Sequence, residues 1–309
     1  MKSKIFVTGI TGCVGHYLFD LLVSNPDYQL YLLVRDPAKM KTDLSAYANV
    51  TVIKDDLSNI EKYAETLKEM DYVVHIAAGW GGTETNYEYT LALFNLLDVK
   101  RCKKIIYFST ASILGPDNRV MEKMGEIGTS YIQGKYRCYK ALPQLKVYDR
   151  LITLFPTWVL GGDSRHPYSH ATAGILGAIK WLWLIRFFTF DISFHFIHAR
   201  DIALIVDHLL KNEVKEKEYV LGNSLITAGQ LVREICDYFN KPVYFRMRIS
   251  PAFVEMAASI FGKGLSPWDK YCLERRSFEY RIVNARTFGL RSQHETVSDI
   301  LKDLAADKV

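Results

Sequence analysis

Paired cysteines are missing from this sequence. Cys13, Cys102, Cys138, Cys236 and Cys272 are odd in number, widely spaced and form no CxxC pair. That argues against both a disulfide framework and a zinc site and for a reducing compartment. Long apolar runs are missing too: none approaches the ~18 uncharged residues of a membrane span. The leading Met1-Lys2-Ser3-Lys4 runs straight into an apolar stretch, which leaves no room for a signal peptide. Charge of one sign is scarce, since 39 Lys and Arg against 34 Asp and Glu give only +5, and the two signs are interleaved. There is no electrostatic case for nucleic acid. His166, His170 and His195 are the tempting metal ligands, yet no pair of them has metal spacing with a carboxylate partner, so no metal is expected. A cytoplasmic protein with a small-molecule ligand is the expectation.

What is present alternates between two periods. Short apolar runs at Ile5–Thr8, Leu30–Val34, Val50–Ile53, Tyr72–Ile76 and Ile105–Ser109 read as strands covered on both faces. Helical spacing follows at 12–24, 60–70 and 87–99. Repeated βαβ order predicts an α/β fold with a doubly wound, parallel Rossmann-type sheet. The second half is less regular. Leu151–Phe155 and Phe194–Ile197 read as further sheet strands, 201–210 and 227–239 as helices and Val243–Phe245 as a short strand. We expect a nucleotide-binding core over 1–160, rejoined by about 194–222. A small, split C-terminal substrate region would take 161–193 and 223–309.

Gly9-Ile10-Thr11-Gly12-Cys13-Val14-Gly15 stands where the first strand hands over to the first helix. Its spacing is GxxGxxG. Such a turn needs a residue tolerant of unusual dihedrals, and a pyrophosphate must approach backbone N–H groups closely. Gly9 and Gly12 meet those needs, and Gly15 lets the helix pack on the sheet. The second strand ends Val34-Arg35-Asp36-Pro37, with Lys39 beyond. Arg35 there suits the 2′-phosphate of NADP(H), whereas Asp36, one residue later, is the kind of acid that holds the ribose of NAD(H). NADP(H) is the preferred reading and NAD(H) the alternative.

The fifth strand runs into Ser109-Thr110-Ala111-Ser112, and Tyr131-Ile132-Gln133-Gly134-Lys135 follows. A hydroxyl residue after strand five and a YxxxK helix, behind the glycine loop, resemble the extended branch of the short-chain dehydrogenase/reductase superfamily, the NAD-dependent epimerase/dehydratase type. His75-Ile76-Ala77-Ala78, Asp56-Leu57 and Phe155-Pro156-Thr157 resemble that family as well, over essentially the whole chain to about Asn240. The resemblance implies a nicotinamide cofactor held by Gly9, Thr11, Gly12, Cys13, Val14, Gly15, Arg35, Lys39, Asp56, Leu57, Ala77, Ala78, Gly79, Tyr131, Lys135, Pro156 and Thr157. It implies a catalytic trio of Thr110, Tyr131 and Lys135. Tyr131 and Lys135 are i and i+4 and so share a helical face, where the ammonium stabilises a phenolate. Tyr136 and Lys140 also read YxxxK and form a rival frame. Gly134 stands where the family has serine, and Phe155 where an arginine often precedes the proline.

Trp80, Ser112, Trp158 and Trp183 are the expected substrate contacts. The aromatic-rich stretch 174–196 reads as an apolar pocket wall, with core packing or contact with a membrane surface as alternatives. Asp201 is expected to cap its helix. The preferred function is an NADP(H)-dependent ketone reductase or alcohol dehydrogenase acting on an apolar small molecule. The alternatives are a nucleotide-sugar epimerase or dehydratase, with candidate diphosphate ligands Arg165, Arg186, Arg246, Arg248, Arg275 and Arg276, and a non-catalytic NADP sensor. A homodimer is left open.

Overall fold

The computed structural model describes residues 2–79, 81–260 and 264–306; Trp80 lies outside them. In chain order come β1 (Ser3–Thr8), α1 (Cys13–Val23), β2 (Tyr28–Leu33), β3 (Val50–Ile53), α2 (Ala64–Lys68), β4 (Tyr72–His75), α3 (Glu88–Asn95), β5 (Lys104–Phe108), α4 (Met124–Ile127), α5 (Ser130–Ala141) and β6 (Leu151–Pro156). β7 (Trp158–Leu160), α6 (His170–Ile179), α7 (Leu182–Ile185), β8 (Phe188–Thr189), β9 (Ser193–Phe194), β10 (Phe196–His198) and α8 (Ala199–Lys211) follow. The remainder is β11 (Glu218–Leu221), β12 (Ile226–Thr227), α9 (Ala228–Tyr238), β13 (Met247–Arg248), α10 (Pro251–Ile260), α11 (Pro267–Arg275), β14 (Ser277–Phe278) and α12 (Val297–Ala306).

Seven strands form one parallel sheet in the order β11-β6-β5-β4-β1-β2-β3. The continuous apolar runs are explained by burial on both faces. On one face Val7, Leu32, Val74 and Ile106 meet α1 and α8 through Leu18, Leu22, Ile205 and Leu209. On the other, Phe6, Val73 and Ile105 meet Leu67, Phe94, Cys138 and Leu142. Each such apolar side chain contributes about 1.5–3 kcal/mol when fully buried. A lysine is also drawn into this interior: Lys104 donates to Leu209 O at 2.6 Å and Asn212 O at 2.8 Å, tying the C-terminal end of α8 to β5.

Several expectations shift. The run 194–197 does not join the main sheet. It breaks at His195, whose Nδ1 bonds Asn223 O at 2.7 Å and whose Nε2 accepts from Tyr280 N at 3.2 Å. β9 then pairs with β12 and β14, and β10 with β7, so the seventh sheet strand is β11. The short strand expected at 243–245 lies instead at β13, where Met247 pairs with Phe188. The helix at 60–70 opens as a 3-10 turn, Leu57–Tyr63, because Asp56 accepts from Ser58 N and starts the coil early. Asp201 does not cap α8. His198 does, its Nδ1 accepting from Arg200 N at 3.2 Å, while Asp201 is buried one turn on and accepts from Ser292 Oγ at 2.7 Å.

The loop after β7 is fastened to α1 by His166. Its Nδ1 lies 2.7 Å from Asp163 Oδ1, its Nε2 lies 2.9 Å from Asp20 Oδ2, and its ring stacks on Tyr17 at 3.8 Å. A carboxylate only accepts, so two such partners call for the imidazolium with both nitrogens protonated. Burial opposes that charge, but the bonds to Asp20 and Asp163 outweigh it and raise the His166 pKa. Burial likewise opposes the Asp163 carboxylate, and the bond from His166 brings its pKa below the usual range. A raised histidine pKa stabilises fully below the unfolded value and is lost as pH rises through the folded one; the depressed Asp163 acts in the opposite sense in acid. The unfolding free energy of wild type in urea should therefore exceed that of His166→Gln most at about pH 5–6, by of order 1 kcal/mol, and the gap should close as pH rises. A gap independent of pH would sink this account.

Candidate active site

The carboxyl ends of β1, β2, β4, β5 and β6 open onto one cavity of about 1540 Å³. β1 ends in Gly9 at φ +77°, where a Cβ would sit 2.5 Å from Ala77 N, and a Cβ on Gly15 would meet the Gly9 and Ile10 carbonyl oxygens at 2.4 Å. Only glycine fits either position. The result is a bare α1 N-terminus: Gly12 caps it with no side-chain bond, so the first-turn N–H groups face the cavity without an internal acceptor. Burial holds the neighbouring Cys13 thiol protonated, with its pKa pushed up to about 12.

Gly9, Thr11, Gly12, Cys13, Val14, Arg35, Lys39, Asp56, Leu57, Ala77, Ala78, Gly79, Pro156 and Thr157 all line this cavity, and Gly15 sits behind it as the packing glycine. Asp36 also lines it, but its carboxylate is used to cap the turn Pro37–Lys39, accepting from Ala38 N at 3.1 Å. Arg35 stands exposed, its Nε 3.4 Å from Asp56 Oδ2. A cradle that a Cβ would fill, an uncapped helix N-terminus and an arginine at the strand edge fit a dinucleotide with its phosphates on α1.

Thr110, Tyr131 and Lys135 meet at the other end of that surface. Thr129 caps α5, accepting from Ile132 N, and so starts the helix one residue before Tyr131. Thr110 Oγ1 accepts from Ser112 N at 3.2 Å, which leaves its proton for the Tyr131 oxygen, with which it is hydrogen-bonded. Burial pushes the Tyr131 pKa up to about 12, and the bond from Thr110 works against that rise. Lys135 is fully buried, donates to Phe108 O at 2.7 Å and is brought down to about 8 by desolvation. Beneath it His75 is neutral, its pKa driven down by burial and then by Lys135, and it bridges Thr8 at 2.7 Å and Thr90 at 2.9 Å. The rival pair points elsewhere: Tyr136 and Lys140 both bond Glu122 on the exposed side of α5.

The substrate contacts divide. Ser112 and Trp158 line the cavity. Trp183 does not; it is 61% exposed, because the short α7 turns Leu182 and Ile185 inward and both flanking tryptophans outward. The stretch 174–196 is thus only partly a pocket wall, with Phe196 in a core cluster. Ile175 and Ile179, within the stretch read as a pocket wall, do line the cavity; missed by the sequence reading were the wall from α9 (Leu231, Val232, Ile235) and Trp268. Asn86 was missed too. Fully buried, it accepts from Gly79 N at 3.1 Å and donates to Gly79 O at 2.6 Å, fixing the loop after β4. A Cβ on Gly134 would lie 2.8 Å from Asn86 Cβ, which explains the missing serine in the YxxxK helix. Among the described residues, the group able to hold a cation is His198, His294 and Asp303. None of the three lines the cavity, and they include none of the histidines considered from sequence.

The family model described as "NAD dependent epimerase/dehydratase family" matches residues 5–222. This chain belongs to the NAD dependent epimerase/dehydratase family. It is accordingly an NAD(P)-dependent enzyme of the extended short-chain dehydrogenase/reductase type, with a Rossmann fold and a nicotinamide cofactor. Within the family it is similar to WbmG of Bordetella bronchiseptica, solved with NAD and UDP. The TM-score is 0.70 at 16% identity, over 99% of this chain and 94% of that one. It is also similar to the UDP-N-acetylglucosamine 4-epimerase of Methanobrevibacter ruminantium, with TM-score 0.67 and 18% identity over 99% and 98% of the two chains. Identities this low establish the shared fold. An oxidase of Acremonium, ucsJ, is 32% identical over 78 residues, 25% of this chain and only 22% of that protein.

The Asn86 clamp gives a direct check. In Asn86→Ala the Gly79 N–H and C=O lose their partner in a half-buried loop, at a cost of about 1 kcal/mol or more for each stranded group. Urea unfolding should register a loss of about 2–4 kcal/mol; a loss below about 0.5 kcal/mol would show that the loop is held by something else.

Proposed function

We propose that this enzyme is an NADP(H)-dependent ketone reductase, or the reverse alcohol dehydrogenase, for an apolar small molecule. The supporting observation is the lining of the substrate half. Its wall is Ile175, Ile179, Leu182, Ile185, Leu231 and Ile235, and none of Arg165, Arg186, Arg246, Arg248, Arg275 or Arg276 lines the cavity. The lining cations Arg35, Lys39 and Lys135 all stand at positions assigned to the cofactor. A diphosphate held against the apolar wall would therefore lack a charged partner, at a desolvation cost of several kcal/mol.

The nicotinamide would supply or take up the hydride at the substrate carbon. In the reducing direction Tyr131, protonated at neutral pH, gives its proton to the carbonyl oxygen while Thr110 orients that oxygen. Lys135 stabilises the phenolate left behind. Residues 1–160, rejoined by 194–222, form the cofactor-binding part in this reading, and the rest shapes the substrate.

A second reading has its own support. Solved neighbours spanning nearly the full chain carry NAD and UDP or are nucleotide-sugar epimerases, which favours an epimerase or dehydratase that reduces and reoxidises its cofactor within one cycle. The two readings separate at the nicotinamide absorbance. With a panel of apolar ketones, net NADPH consumption supports the reductase. Conversion of UDP-sugars without net cofactor change, and no turnover of any ketone, would overturn it.

Arg35 should carry the preference for NADPH. Arg35→Ala is expected to weaken NADPH by about tenfold or more while leaving NADH nearly unchanged, because only the 2′-phosphate loses a charged partner. An unchanged ratio of the two dissociation constants would return the role to Asp36.

Tyr131→Phe keeps the ring and α5 and removes the acid. Turnover should fall by about 10²–10⁴, with NADPH affinity changed by less than about fivefold. Tyr136→Phe should turn over at the wild-type rate. The reverse pattern would shift the catalytic frame by five residues.

A further inference from the structure

The helices that wall the cavity carry a second, outward surface. α6 and α7 turn Ile179, Leu182 and Ile185 to the cavity and leave Trp181 and Trp183 59% and 61% exposed. Pairing of β8 with β13 adds to that side: Phe187 stacks on Phe245 at 5.0 Å, and Tyr244 and Met247 are exposed beside them. The chain then enters α10, where Phe253, Met256 and Ile260 recur at helical spacing and are all more than half exposed. No described residue of α10 joins a core cluster. Solitary exposed apolar side chains are ordinary, but this many on elements adjacent along the chain, two of them joined by the β8–β13 pairing, mark a contact surface.

Its charge identifies the partner. Residues 180–191 and 239–260 carry Lys180, Arg186, Lys241, Arg246 and Arg248 against only Asp191 and Glu255. Arg248 pairs with Asp191. Arg186 and Arg246 are different: each uses Nη1 on a backbone carbonyl, Pro242 O at 3.1 Å and Gly229 O at 2.7 Å. Arg186 Nε and Arg246 Nε and Nη2 are buried away from solvent with no hydrogen-bond partner. Both guanidiniums act on the buried Cys236 thiol and so face inward, which leaves the exposed Lys180 and Lys241 as the cations of the outer surface. Tryptophan and aliphatic side chains interleaved with cations match the boundary between headgroups and acyl chains, where the rings take the interface and the cations the lipid phosphates.

We propose that this face, built from α7, the β8–β13 pair and α10, docks the enzyme on the surface of an anionic lipid bilayer. Docking does not depend on the reaction assigned above. Among the described residues no helix is long and apolar enough to cross a membrane, so the contact is peripheral. A second copy of the chain is the competing occupant, and the net positive charge disfavours it, since two such faces brought together would repel.

The test is co-sedimentation of the full chain with vesicles of phosphatidylcholine alone and of phosphatidylcholine with roughly one-third phosphatidylserine, at physiological and at high salt. The protein should pellet with the anionic vesicles at least about tenfold better than with the neutral ones and partly release at high salt. Lys180→Gln and Lys241→Gln should each weaken partitioning by up to about fivefold. Trp183→Ala and Phe253→Ser should weaken it further while leaving NADPH binding and the circular dichroism spectrum unchanged. Three results overturn the proposal: no pelleting with anionic vesicles, pelleting that the aromatic variants leave unchanged, or a concentration-dependent dimer that Trp183→Ala disperses.

Discussion

Everything in this site depends on a backbone contact that tolerates no side chain. At the end of β1 the chain turns through Gly9 against the backbone at Ala77, and α1 starts so close to that turn that Gly15 faces two carbonyl oxygens. The approach sets the direction of α1, and with it the line of its peptide dipoles toward the cavity. It also sets what α1 touches on its far side, where Phe19 and Leu22 join the α8 core and Tyr17 and Asp20 receive the loop after β7. Phosphate cradle, sheet packing and the fastening of a substrate-side loop are one geometric decision.

The cavity carries two chemistries side by side. Charges gather where Arg35, Lys39, Asp55 and Asp56 meet water. Tyr131 and Lys135 are instead withdrawn from it, and burial moves both toward their neutral forms. An acid held protonated and an ammonium kept within reach of neutral pH make a pair whose charge responds strongly to whatever lies against them, since there is little solvent to screen it. Thr110 and the Phe108 carbonyl are the fixed dipoles that orient this pair.

The sheet and the order of the site were legible because their signals are local. Short apolar runs, a glycine spacing and an i, i+4 pair each state their structure within a few residues. The wrong readings lie where side of chain matters more than composition. Trp183 and Ile185 sit two residues apart in the same aromatic stretch, and only the turn of α7 decides that one meets solvent and the other the cavity. Asp201 and His198 are both plausible caps, and the helix start chose between them. Asn86 left no mark in sequence, since a buried amide matched to a glycine backbone needs the tertiary partner to be seen. The walls from α6 and α9 come together only after the chain has returned from far away.

The sheet's outermost strand on one side has a bearing on how the molecule is made. β6 emerges from the ribosome with Leu151–Phe155 ready to pair, but its neighbour β11 is translated only after the whole stretch 161–217 has appeared. Until then β6 is an open, apolar sheet edge on a nascent chain, the kind of surface that recruits chaperones or a neighbouring polypeptide. Lys104 likewise waits for its carbonyl partners at Leu209 and Asn212, which are made just before β11. The order of the strands along the chain thus leaves an interval, bounded by β6 and β11, in which the growing sheet has one edge unpaired.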